Sequence, residues 1–80
     1  MPQYFINFLR AGQTIKDDEG EDFPGLEEAH AAAIVSAREI LANDIKAGSS
    51  EALEAVFITN GDGQRLATVH ATDVLPEPLK

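Results

Sequence analysis

The chain has 80 residues, of which 44% are hydrophobic and 25% are charged, a composition typical of one small folded domain. Its 14 acidic and 6 basic residues give a formal net charge of −8, which disfavours direct binding to nucleic acid and to anionic membranes. The sequence contains no cysteine, which excludes disulfides and thiolate chemistry, and no apolar run approaches the length of a membrane span. We therefore expect a cytoplasmic protein.

The first segment predicts a β-hairpin. Residues 3–9 are largely aromatic and aliphatic on both faces of an extended chain, which is typical of a central strand. Residues 10–13 can turn the chain, and Thr14 to Lys16 can return as a short second strand.

The next segment is strongly acidic and predicts a solvated loop around Gly20 that forms an acidic surface. Its carboxylates are Asp17, Asp18, Glu19, Glu21 and Asp22. An EF-hand alignment that starts at Asp17 fails because Asp22 stands where the calcium loop needs glycine. Weak binding of divalent cations or of a small ligand by this loop stays open as an alternative.

A helix of about 22 residues is predicted from Leu26, after Pro24 and Gly25, to the residues before Gly48. One stripe should pack on the sheet, and it contains Leu26, Ala29, His30, Ala33, Ile34, Ala37, Ile40, Leu41 and Ile45. Asp44 falls near the centre of this stripe at its C-terminal end, where it could meet Lys16 or Arg10 or simply emerge beyond the sheet.

The opposite helix face is less polar than a solvated face needs to be. Ala31, Val35 and Ala42 lie there, beside Arg38. We predict that these four residues bind a partner, most simply a second copy of the chain. The alternative is that alanine is present as the best helix former and that a single exposed valine is ordinary.

A second hairpin is predicted from residues 51–59 and 66–71 around the turn Asn60-Gly61-Asp62-Gly63. Its register stays open, because a four-residue loop pairs Thr59 with Gln64, whereas a two-residue turn pairs Gly61 with Gln64. Pro76 and Pro78 then end the ordered part. The prediction is a single α+β domain at residues 1–75, with ββαββ order, a four-stranded, mainly antiparallel sheet, one long helix on one face, and a tail at residues 76–80.

Several short motifs together resemble a family of small bacterial proteins classed as a domain of unknown function. They are the opening Met1-Pro2-x-Tyr4-Phe5, the Asp17-Asp18-Glu19-Gly20 loop, the alanine-rich helix and Gly63-x-Arg65-Leu66. The chain departs from the usual family pattern at Ile6, Asn7 and Gly25. The resemblance implies a free-standing bacterial cytoplasmic protein and brings no activity with it.

No catalytic constellation emerges from the sequence. His30, His70 and Asp73 could ligate a metal only if the fold joined them, and no nucleophile-elbow motif surrounds any of the three serines, Ser36, Ser49 and Ser50. We therefore expect no enzyme, no cofactor and no metal. A chain of this size buries only about 62% of its unfolded surface, so its stability margin is small and self-association would add to it.

These observations predict a non-enzymatic protein-interaction module that forms a homodimer. The alternative from another class is an acidic inhibitor that mimics nucleic-acid charge on a basic partner.

Overall fold

The structure is a computed structural model and describes residues 2–76 and 78. It is an α+β fold in which one long helix packs against an antiparallel sheet, as predicted. Its elements are β1 (Gln3–Arg10), β2 (Gln13–Ile15), β3 (Glu21–Asp22), α1 (Leu26–Ala47), β4 (Leu53–Thr59), β5 (Arg65–His70) and α2 (Ala71–Val74). The sheet order is β2-β1-β4-β5, and β3 also pairs with β1.

Strand β1 is central, as its apolar character on both faces predicts. It pairs with β4 along residues 5–10, with β2 near its C-terminal end and with β3 at its N-terminal end. The pairing of β3 is a difference from the prediction, which placed Glu21 and Asp22 in a loop. In the structure Glu21 pairs with Tyr4 and Asp22 pairs with Gln3 in antiparallel register.

Side-chain alternation gives the sheet two distinct faces. The helix side carries Ile6 opposite Ile58, and Val56 between Phe8 and Val69. Val56 and Ile58 are fully buried under α1. The other side, here called the open face, carries Phe5, Asn7, Phe57 and Thr59 from the two central strands and has no helix over it among the described residues.

Helix α1 has the bounds that its flanking glycines predict. Gly48 follows in a left-handed conformation, with φ of +67°, and its backbone N–H and that of Ser49 donate to carbonyls of the last turn. The contact with the sheet runs through fully buried Ala29, Ala33 and Ala37, whose small side chains let the helix approach closely.

The predicted buried stripe is wrong at three positions. Leu26 and Ile45 are 38% and 62% exposed, and His30 is also exposed. Asp44, which the sequence places near the centre of this stripe, is buried because its carboxylate has partners inside the fold. Ile45 lies about 100° further round the helix and points outward.

The second hairpin has a register that neither sequence-based alternative contains. Thr59 pairs with Arg65, and the register shifts between Ile58 and Thr59. The turn closes through the N–H of Asn60, which donates to the carbonyl of Gln64, and through the side-chain oxygen of Asn60, which accepts from two turn amides. The register shift directly precedes this turn, which Asn60 holds together.

Helix α2 is a single turn that the sequence analysis did not predict. Its residues Ala71 and Val74 are buried against α1 and the sheet. The predicted tail at 76–80 lies partly outside the described residues, as does Met1 of the predicted domain.

Candidate functional site

The outer face of α1 is exposed at all four residues predicted to bind a partner. Ala31, Val35, Arg38 and Ala42 are exposed, and 53% of Val35 is accessible to solvent. Ile45, which the sequence analysis placed against the sheet, joins this surface. We call these five residues the outer patch.

A groove of about 460 Å³ continues the outer patch where α1 meets α2. Its lining is mainly apolar and comprises Arg38, Leu41, Ala42, Ile45, Asp73, Val74, Leu75 and Pro76. The Nε of Arg38 donates to the carbonyl of Val74 at 3.3 Å and so joins the two helices. Sequence reasoning missed the groove because its second wall is α2, which has too few residues to show a helical period.

The acidic loop is anchored to the sheet by one of its own carboxylates. The side chain of Asp17 accepts the N–H of Ile6 at 3.2 Å, and the N–H groups of Glu19 and Gly20 at 3.1 Å each. Burial opposes ionisation of this carboxyl, but the three backbone donors outweigh burial and hold the pKa of Asp17 below its ordinary value. Asp17 therefore serves as a structural anion.

The other predicted members of the acidic surface are exposed. Asp18 and Glu19 lie in the loop, and Glu21 and Asp22 lie on β3. Gly20 closes the loop with φ of +72°, and a Cβ added there would lie 2.8 Å from the Phe5 ring. The loop is therefore packed on the sheet and held at both ends.

Asn7 is the buried polar residue that joins the loop to both central strands. It is 4% exposed, and its amide nitrogen lies within 3.3 Å of the carbonyls of Phe5 and Phe57 and the hydroxyl of Thr59. Its side-chain oxygen accepts the N–H of Asp17 at 3.0 Å. The only local signal for this bridge is a polar residue inside an otherwise apolar strand, and the sequence analysis made no prediction from it.

A cleft of about 400 Å³ lies on the open face above Asn7. Its floor is the four open-face residues of β1 and β4, and its two walls are the acidic loop and the β4–β5 turn. The residues lining it are Phe5, Asn7, Thr14, Lys16, Asp17, Asp18, Phe57, Thr59, Asn60, Gly61 and Gly63. The guanidinium of Arg65 lies 4.2 Å from the centroid of the Phe57 ring.

A partly buried ion pair ties the C-terminal end of α1 to strand β1. The Nη1 of Arg10 lies 2.8 Å from the carboxylate of Asp44, which also accepts the N–H of Leu53 at 2.9 Å. The hydrogen bond from Arg10 and then that from Leu53 hold the pKa of Asp44 below its ordinary value. Of the two partners predicted for Asp44, the structure selects Arg10.

The part of the chain that the structure describes contains no cluster of side chains suited to bind a metal ion. Within residues 2–76 and 78, no group of three His, Cys, Asp or Glu side chains could hold a metal ion. His30 lies on α1, His70 at the end of β5 and Asp73 on α2. Among the same residues, no helix is both long and apolar enough to cross a bilayer.

These features define a small acidic α+β domain with an apolar outer helix face and a polar cleft on the opposite side of the sheet. The chain belongs to the family described as Domain of unknown function (DUF6894), which matches residues 3–72. The expectation that the chain belongs to a family classed as a domain of unknown function is thereby confirmed. Comparison with curated proteins and with solved structures found no match.

Proposed function

We propose that this protein is a non-enzymatic cytoplasmic interaction module that forms a homodimer through the outer patch and the adjoining groove. The observation that carries the proposal is the concentration of exposed apolar side chains there. Four large hydrophobic residues of the described chain are clearly exposed, and two of them, Val35 and Ile45, belong to the outer patch. Contiguous exposed apolar surface beside polar residues is typical of a protein-binding site.

The dimensions of α1 suit a second copy of the chain. A small specific dimer buries about 600–1,000 Å² on each copy, roughly a tenth to a fifth of the 5217 Å² surface of this molecule. The helix is about 33 Å long, close to the longest extent of the fold at 37 Å. Two such helices packed side by side can supply that area, and a two-fold axis would place each outer patch against the other.

Charge sets the salt dependence of this dimer. Each copy carries a formal net charge of −8, so the two copies repel at long range and salt screens the repulsion. We expect the dimer to strengthen as salt rises. Capture of a basic target by an acidic inhibitor, the alternative proposal, would weaken instead.

The test is the solution mass of three proteins, measured by light scattering on a size-exclusion column. Wild type should have twice the mass of the 8.6 kDa chain at micromolar concentration, and Val35→Glu should be a folded monomer. Ile15→Glu is the matched control, because Ile15 is also 53% exposed but lies on β2. A monomeric wild type, or equal dimers in all three proteins, would reject the outer patch as the dimer surface.

A further inference from the structure

The cleft on the open face is a second site, separate from the outer patch because the whole sheet lies between them. Its floor comes from the two central strands, which are held by the longest ladder in the sheet, so its shape is largely preformed. A volume of about 400 Å³ falls within the usual range for small-molecule sites.

Several polar side chains of the cleft already form hydrogen bonds within the protein, and others are free to bind a ligand. Asn7 and Asp17 are used by the fold, and the side chain of Asn60 holds its own turn. The Thr59 hydroxyl accepts from Asn7, which leaves its proton available to donate.

The two remaining charged groups of the lining have opposite sign. Lys16 and Asp18 are both exposed, and neither forms an ion pair with any described residue of the chain. They lie two residues apart in the segment that forms one wall of the cleft. The cleft therefore combines one available cation and one available anion, although the protein as a whole is strongly acidic.

Phenyl rings supply the apolar part of the cleft. Phe5 lies opposite Thr59 and Phe57 lies opposite Asn7, so the two rings occupy diagonal positions on neighbouring strands, about 7–8 Å apart at their Cα atoms. The polar groups of Asn7 and Thr59 occupy the other diagonal. A ligand that matches this arrangement needs two opposite charges close together and a compact hydrocarbon or aromatic group.

We propose that the open-face cleft binds a small zwitterion, an α-amino acid with an apolar side chain. Lys16 faces its carboxylate, Asp18 faces its ammonium group, and the side chain rests against Phe5 and Phe57. The Thr59 hydroxyl donates to the ligand carboxylate. This site is independent of dimer formation, so a monomeric Val35→Glu protein should bind equally well.

The test is a nuclear magnetic resonance titration of the ¹⁵N-labelled protein with three related compounds. L-Phenylalanine carries both charges, phenethylamine lacks the carboxylate, and 3-phenylpropionate lacks the ammonium group. We expect L-phenylalanine to shift the amide signals of Asn7, Thr59 and Gly61. Each single-charge compound should bind about fivefold to tenfold more weakly.

Variants of Lys16 and Asp18 test which residue binds the carboxylate of the ligand and which binds its ammonium group. Lys16→Gln should remove most of the preference for L-phenylalanine over phenethylamine, because only the Thr59 hydroxyl then contacts the ligand carboxylate. Asp18→Asn should abolish the preference over 3-phenylpropionate. Asp62→Asn is the matched control, since Asp62 is an exposed turn carboxylate outside the lining. The proposal is overturned if no amide of the cleft shifts, if all three compounds bind alike, or if Asp62→Asn acts like Asp18→Asn.

Discussion

The ion pair between Arg10 and Asp44 is the contact whose loss should destabilise the fold most clearly. Replacing Asp44 with alanine removes the acceptor of two donors, the Arg10 guanidinium and the buried N–H of Leu53. Breaking a buried pair from one side typically costs about 3–5 kcal/mol. The Arg10 side chain is 28% exposed, and its Nη1 still donates to the carbonyl of Glu51 at 2.6 Å, so we expect a loss of about 2–4 kcal/mol.

This loss is large beside the free energy of unfolding of a domain of this size, about 4–12 kcal/mol. The melting temperature should fall by roughly 8–32 °C, because 1 kcal/mol corresponds to about 4–8 °C in small domains. The assay is thermal and urea unfolding followed by circular dichroism. It is best made in the Val35→Glu background, so that dimer formation does not contribute to the apparent stability.

The pH dependence provides an independent check on the same pair. Since the folded pKa of Asp44 is lowered, its contribution is fully present above the unfolded value of about 4 and is lost as pH falls through the folded pKa. The difference between wild type and Asp44→Ala should therefore shrink below about pH 4. Asp44→Asn keeps an oxygen for Leu53 and should cost only about 1–2 kcal/mol. An alanine variant within about 0.5 kcal/mol of wild type at pH 7, or a difference unchanged at pH 3, would refute this reasoning.

Three further perturbations test the packing around the sheet. Gly20→Ala should lower the free energy of unfolding by about 2–4 kcal/mol, because the new methyl group would meet the phenyl ring of Phe5. Gly12→Ala is its control in the same urea assay: Gly12 has a similar positive φ but open space around it, so the loss should be about 1 kcal/mol. In the monomeric Val35→Glu background, Ala33→Leu should lose about 1–3 kcal/mol by forcing α1 away from the sheet, whereas Ala31→Leu on the exposed face should be nearly neutral. Equal effects would contradict the assigned helix orientation. Asn7→Ala should release the acidic loop, seen as faster hydrogen exchange of its amides and a loss of about 2–3 kcal/mol, and unchanged exchange would show that the loop does not depend on this side chain.

Local signals explain how much of the fold could be predicted from the sequence. Pro24 and Gly25 before the helix and Gly48 after it set its bounds, and the apolar residues of β1 place that strand at the centre. These features depend on neighbouring residues alone. The same holds for the exposure of Val35, which follows from its position on the helix relative to the buried alanines.

The sequence-based predictions fail where contacts between distant parts of the chain determine which side chains are buried. Asp44 is drawn inward by Arg10, 34 residues earlier in the chain, and this orientation turns Ile45 outward. The Asn7 bridge spans 50 residues to Phe57, so no local pattern reveals it. The cleft went unseen for the same reason, because its floor and its two walls come from three separate parts of the chain.

The interruption between β2 and β3 has a consequence for how this protein can aggregate. The two strands pair with opposite ends of β1, and between them the N–H of Ile6 is taken by the carboxylate of Asp17. An uninterrupted sheet edge can act as a template for fibre growth, because its free backbone groups can pair with a strand from another molecule. Here the row of backbone donors is interrupted, and the acidic side chains nearby repel the acidic loop of a second copy. A marginally stable chain can thus expose an apolar helix to other molecules while keeping this border of its sheet closed to them.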